Sequence, residues 1–239
     1  MMRNAMDSPT AEQRFVVVTA ADWGQGKTDM ALDLADGLRE RGHRVGGFCI
    51  RRVYGPRPGG FVPVALEVLM LSSHESFRVA RTAYSDDEAV DFRSGRRDGL
   101  RVGMEGTFFI DRAAIGHVLD QATRDLEDPN VTAFILDEVG PLLFKSKHVK
   151  RRREKRSVPF YRLAMALIDR PKEFTCIVFS DPDMQAEEAL GVRKHIQAHP
   201  TRLHDRVAYW RLTPDNFRIL AGEVLETIPH LRRRRRDPK

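Results

Sequence analysis

Apolar residues in this chain fall into short continuous runs separated by amphipathic stretches, a rhythm that predicts buried strands alternating with helices. Phe15 to Thr19 is such a run. A glycine-bearing turn follows it, then a stretch with Ala31, Leu34, Ala35 and Leu38 on one helical face and Gly42 as its stop. Arg44 to Val53 reads as a second strand, and Tyr54 to Gly60, with two prolines and three glycines, as a turn. Val62 to Leu71 reads as a strand that Glu67 keeps away from the centre of a sheet. Phe77 to Ala83 is a further short strand and Tyr84 to Gly99 a charged loop. Met104 to Ile110 is strand-like. Asp111 then caps a helix with Ile115, Val118, Leu119, Ala122 and Leu126 on one face. Val131 to Leu136 is a β-rich apolar run, and Ser157 to Asp169 a helix that ends before Pro171. Phe174 to Phe179 is a buried strand, Glu187 to Ala198 a helix and Arg206 to Leu212 a strand. Thr213-Pro214-Asp215 is expected to open a last helix through Thr227.

Strands alternating with helices imply an α/β fold of three layers, a mostly parallel sheet with helices on both faces. The stretch from about 54 to 110 breaks the alternation and predicts a β-rich insertion at one edge. A chain of 239 residues holds one domain with insertions and buries a core without covalent staples. The expected domain is 14–228. A flexible segment, 1–13, precedes it, a basic loop at about 147–157 interrupts it, and a disordered basic tail, 229–239, follows.

The turn after the first strand carries the chemistry. Ala21-Asp22-Trp23-Gly24-Gln25-Gly26-Lys27-Thr28 is a P-loop pattern with Ala in the first glycine position. Gly24 and Gly26 let backbone N–H groups curl around phosphate oxygens where a Cβ would collide. Lys27 can reach the β and γ phosphates, and the Thr28 hydroxyl can ligate Mg²⁺. The helix behind presents its positive dipole end to the anion. Ala21 through Thr28, with Asp29 next to them, are the expected nucleotide contacts, although the Asp22 carboxylate must turn away from a polyphosphate. The second half of the site is Asp137-Glu138, delivered by Ala133 to Leu136 to the carboxyl end of a strand, where open α/β sheets bind ligands. Asp137 suits a Walker B ligand to Mg²⁺, and Glu138 a general base that orients or deprotonates the attacking water.

Composition narrows the picture further. The two cysteines, Cys49 and Cys176, each sit in an apolar run without C-x-x-C or zinc spacing, and read as buried reduced thiols. Residues 1 to 14 lack the apolar core of a signal peptide, and no apolar run reaches membrane-spanning length, so a cytoplasmic protein is expected. The net charge of +6 is concentrated in Lys150 to Arg156 and Arg232 to Arg236. Such blocks are solvated loops and tails or contacts to RNA. His195 and His199, four apart on a helix with His204 beyond, read as a solvated pair. Arg51 and Arg52 follow the second strand, facing either phosphate or solvent.

Five segments in order carry a family resemblance. They are Gly24-Gln25-Gly26-Lys27-Thr28, Gly42 to Phe48 (GHRVGGF), Arg101-Val102-Gly103, Leu136 to Pro141 (LDEVGP) with Lys145-Ser146, and Leu212 to Asn216 (LTPDN). Over roughly residues 14 to 228 the chain resembles the small P-loop nucleoside-triphosphatases first described from thermophiles, also known as the cancer-related nucleoside-triphosphatase family. The resemblance implies a RecA-like fold, Mg²⁺-dependent hydrolysis of nucleoside triphosphates such as ATP or GTP to diphosphates, and loose base preference. It assigns Gly24, Gly26, Lys27 and Thr28 to phosphate and Mg²⁺, Asp137 to Mg²⁺ and Glu138 to water activation. The chain departs from the family at Ala21-Asp22-Trp23, where Gly-Pro-Pro is usual. It departs again at Leu143, where Glu is common, and at Ser180-Asp181, where a His-Arg pair is usual. Two alternatives stand beside hydrolysis: a P-loop kinase acting on a small molecule or nucleotide, and a nucleotide-switched module that binds RNA or a partner.

Overall fold

The computed structural model describes residues 14–20, 26–82, 99–101, 107–137, 159–170, 172–179, 207–213, 215–216 and 218–228. In chain order these form β1 (Arg14–Ala20), α1 (Lys27–Glu40), β2 (Val45–Arg57), β3 (Gly60–Met70), β4 (Ser76–Thr82), β5 (Gly99–Arg101) and β6 (Thr107–Ile110). Then come α2 (Arg112–Glu127), β7 (Ala133–Leu136), α3 (Pro159–Asp169), β8 (Phe174–Phe179), β9 (Val207–Leu212) and α4 (Leu220–Glu226).

The described strands join in one sheet of order β5-β6-β4-β3-β2-β7-β8-β1-β9. From β2 to β9 every pairing is parallel. Beyond β2 the sheet continues through antiparallel pairings only, β3 on β2, β4 on β3, β6 on β4 and β5 on β6. A parallel strand buried on both faces reads as a continuous apolar run, and β1 shows why. Phe15 and Val17 pack into one cluster with residues of α2 and α3, such as Val118, Ala122, Leu163 and Leu167. Val16 and Val18 face the opposite cluster, with Met30, Leu34 and Leu38 of α1 and Val224 and Leu225 of α4. Helices therefore cover both faces of the parallel half.

That arrangement locates a ligand site. The chain leaves β1 toward β2, on one side, whereas from β8 it proceeds to β9, on the other side of β1. Adjacent strands β1 and β8 thus send their connections in opposite directions, and the crevice at their carboxyl ends is a topological switch point. β1 ends there at Ala20.

Local signals place most elements well. Asp111 accepts hydrogen bonds from the N–H groups of Ala113 and Ala114 at 2.9 and 3.0 Å, as a cap should. Gly42 closes α1 with φ 88°. Four expectations need correction. Tyr54 to Arg57 are not turn but strand, paired with Gly60 to Pro63. The hairpin turns on Pro58-Gly59 alone, because a tight hairpin needs only two residues of the Pro/Gly cluster. Glu67 does not push its strand to an edge: β3 lies between β2 and β4, and Arg51 and Arg78 beside Glu67, at 3.9 and 3.4 Å, offset its charge. Gly99–Arg101, taken for the end of a loop and the segment after it, forms β5. The last helix starts at Leu220, not near Thr213. The Asn216 side chain accepts the Thr213 N–H at 2.8 Å and donates to the Arg211 carbonyl at 2.9 Å, folding that segment into a turn.

Candidate functional site

The site begins at Gly26, the N-cap of α1, whose φ of 73° and ψ of 23° lie in the left-handed region that glycine enters without a steric penalty. Gly26 has no side chain of its own to cap this end, and among the described residues no side-chain cap is made there. A 14-residue helix anchored by the fully buried Ala31, Leu34, Ala35 and Leu38 holds that positive end rigidly against the crevice. Lys27, the first helical residue, is buried at 8% exposure. Asp29 stands exposed in the first turn.

Thr28 and Asp137 meet although 109 residues separate them. The Thr28 hydroxyl lies 2.9 Å from Asp137 Oδ2 and 3.0 Å from the Ile50 carbonyl oxygen. It has one hydrogen, so it donates to one of these oxygens at a time, the charged one being the stronger acceptor. Asp137 is wholly buried. Its main-chain N–H donates to the Phe48 carbonyl at 3.1 Å, and Oδ2 also accepts the Ile50 N–H at 3.2 Å. The carboxylate is therefore held from two sides, by α1 and by β2.

Two thiols lie close enough to feel that charge. Burial pushes the Cys49 thiol well above its ordinary range, and the Asp137 carboxylate pushes it further. Cys176 is raised by the same two causes in the same order. Both are free and buried, as their apolar surroundings in the chain predicted.

Magnesium favours hard oxygen ligands and keeps several of its waters, so it needs only one or two protein groups beside a phosphate. A hydroxyl and a carboxylate 2.9 Å apart at a helix N-terminus supply that donor set, and Thr28 and Asp137 fit the ion. Among the described residues no group of three or more His, Cys, Asp or Glu is placed to hold a metal on protein ligands alone.

Of the residues singled out from the sequence, Gly26, Lys27, Thr28, Asp29 and Asp137 are described. Ala21, Asp22, Trp23, Gly24, Gln25 and Glu138 lie outside the described residues, as do His195, His199, His204 and both arginine-rich segments. The Arg51 guanidinium donates to Ser76 Oγ at 3.0 Å and lies 3.9 Å from Glu67. The backbone of Ile50 is the part of the site that sequence reading missed. No residue type could have announced it, because its N–H and C=O make the contacts.

The chain is 34% identical over 124 residues to the nucleoside-triphosphatase THEP1 of Pyrococcus abyssi, a match covering 52% of this chain and 57% of that protein. It is 30% identical over 124 residues to the nucleoside-triphosphatase THEP1 of Methanocaldococcus jannaschii, covering 52% of this chain and 61% of that one. The chain thus spans less than two thirds of the length of either curated relative. No family model matches, and no solved structure does. Both similar proteins are named as nucleoside-triphosphatases, and each likeness covers about half of this chain. Among the described residues no helix is long and apolar enough to cross a membrane.

Proposed function

We propose that this chain is a Mg²⁺-dependent nucleoside-triphosphatase with a RecA-like P-loop fold, cleaving a nucleoside triphosphate such as ATP or GTP to the diphosphate and phosphate. The observation that carries the reading is the 2.9 Å contact between Thr28 and Asp137 at the start of α1. A P-loop hydroxyl and a strand-end carboxylate, expected from two distant motifs to share one ion, stand side by side at the carboxyl edge of the parallel strands. The two similar proteins named as nucleoside-triphosphatases support the same reaction.

Each residue then has a distinct task. The N–H groups at the start of α1, with those of Gly24 and its neighbours, bind the phosphate oxygens. Lys27 neutralises charge on the β and γ phosphates in the ground state and as the γ-phosphoryl group transfers. Thr28 and Asp137 would hold Mg²⁺, which when bound supplies positive charge against the same phosphates. Glu138, directly after Asp137, orients the attacking water and takes its proton. In-line displacement by that water breaks the bond between the γ-phosphorus and the bridging oxygen. The diphosphate leaves on the opposite side.

A single assay tests this and separates it from phosphoryl transfer to another acceptor. Phosphate release is followed with Mg-ATP or Mg-GTP and no acceptor present, alongside the affinity of a non-hydrolysable triphosphate. The native protein is expected to turn over. Lys27→Ala should lose both affinity and turnover, whereas Glu138→Gln should keep affinity while hydrolysis falls by about a hundredfold to ten-thousandfold. Native-rate hydrolysis by Glu138→Gln would move the base elsewhere. Turnover that appears only with an acceptor would favour a kinase.

A further inference from the structure

The GHRVGGF segment ends at Phe48, whose carbonyl already holds the Asp137 N–H, and two residues before Ile50, which contacts Thr28 and Asp137. Helix α2 packs directly on the segment's last two glycines. Asp125 of α2, 4% exposed, accepts the Gly47 N–H on Oδ2 at 3.0 Å and the Gln121 side-chain amide on Oδ1 at 3.3 Å. A Cβ on Gly46 would lie 2.9 Å from Asp125 Cβ and 2.8 Å from Val131 Cγ1. Gly47 has φ +91°, and a Cβ there would lie 2.0 Å from the Ile135 carbonyl oxygen. Its own carbonyl accepts the Leu71 N–H at 2.8 Å. Both main-chain groups of Gly47 are thus fixed, one by α2 and one by the chain just after β3.

The next three residues of β2 carry that placement to the site. Phe48 accepts the main-chain N–H of Asp137. Ile50 donates its N–H to the Asp137 carboxylate and offers its carbonyl to the Thr28 hydroxyl. A shift of this segment along its own direction would move all three contacts together. We propose that Asp125 is a positioning residue for the Thr28–Asp137 pair, acting through the Gly47–Ile50 segment of β2 without touching the nucleotide or the ion. The inference rests on the proposed Mg²⁺-triphosphate site and adds to it a residue that no motif singles out.

The test measures how much Mg²⁺ raises the affinity for a non-hydrolysable triphosphate, in native protein and in Asp125→Ala, Asp125→Asn and Asp125→Glu. Urea midpoints and amide hydrogen exchange at Ile50 and Val17 are followed in parallel. Asp125→Ala is expected to cut the Mg²⁺-dependent gain about tenfold while affinity without Mg²⁺ stays within about twofold. That is the pattern of a displaced metal ligand and not of a lost phosphate contact. Asp125→Asn keeps an oxygen for the Gly47 N–H and should restore most of the gain. Asp125→Glu keeps the charge but is one methylene longer, so it should lose part of the gain even if the alanine variant does not fold. Exchange at Ile50 should quicken more than at Val17. A variant that is less stable but keeps the native Mg²⁺ gain, with Ile50 and Val17 quickened alike, would make Asp125 a structural residue only and overturn the inference. Native protein whose triphosphate affinity ignores Mg²⁺ would overturn the proposed site and the inference with it. Native Mg²⁺ dependence that Asp125→Glu and Asp125→Ala both retain would overturn the inference alone.

Discussion

Replacing Thr28 by valine removes one hydroxyl and leaves the side-chain shape in place. The hydroxyl reaches two acceptors, Asp137 Oδ2 and the Ile50 carbonyl, but its single hydrogen serves one at a time. The loss is therefore one hydrogen bond to a charged, fully buried acceptor, not two. Such bonds contribute about 1.5–3 kcal/mol net, and Asp137 retains the Ile50 N–H, so about 2 kcal/mol is expected. For a chain of this size that corresponds to a fall in Tm of roughly 4–8 °C. Urea unfolding in the absence of nucleotide and Mg²⁺ reads the difference directly. Thr28→Ser, which keeps the hydroxyl and drops the methyl group, should lose less than the valine variant. Adding Mg²⁺ and a non-hydrolysable triphosphate should widen the gap between native and valine proteins. Ligand at a hundredfold over its Kd stabilises a folded protein by about 2.7 kcal/mol, and the variant lacks a ligand to the ion. A valine variant as stable as native without ligand, within about 0.5 kcal/mol, would refute the claim that this hydroxyl satisfies the Asp137 carboxylate.

Two further outcomes are expected. The raised pKa values of Cys49 and Cys176 keep both thiols protonated in the folded state at pH values where the unfolded chain ionises them. Their contribution to stability is complete below the ordinary thiol value of 9.0 and is lost as pH rises above it, by about 1.4 kcal/mol per pH unit per thiol. Urea midpoints at pH 8 to 10.5 should fall more steeply for native protein than for a Cys49→Ala/Cys176→Ala double variant, and equal slopes would contradict the burial of the thiols. Gly47→Ala places a side chain in the left-handed region and against the Ile135 carbonyl, and should cost roughly 2–4 kcal/mol by urea unfolding, far more than the same change at Gly116 in α2, which has open space around it.

Features that depend on residues within a turn of one another were legible in the chain itself. The buried stripe of α1, its stop at Gly42, the Asp111 cap and the apolar runs of β1, β7 and β8 each rest on spacing of four residues or fewer. A motif such as Gly26-Lys27-Thr28 also carries its chemistry locally, because the glycine conformation and the helix start are local events. The same locality explains the misplaced start of α4. Proline after threonine is a helix-start signal, but the Asn216 side chain bonded the backbone of Thr213 and Arg211 just before the proline and won the competition.

Tertiary structure alone decided what those local pieces face. The order of the strands put Asp137 against Thr28 and set Arg51 beside Glu67 and Ser76, across the antiparallel pairing of β2 with β3. Pairing across 87 to 109 residues depends on which strands become neighbours, and that choice is made by the burial of whole faces, not by any short run of residues. The contacts of Ile50 and Gly47 were hidden for a second reason. Main-chain N–H and C=O groups are the same at every such position, so only the folded backbone shows which of them a carboxylate has taken.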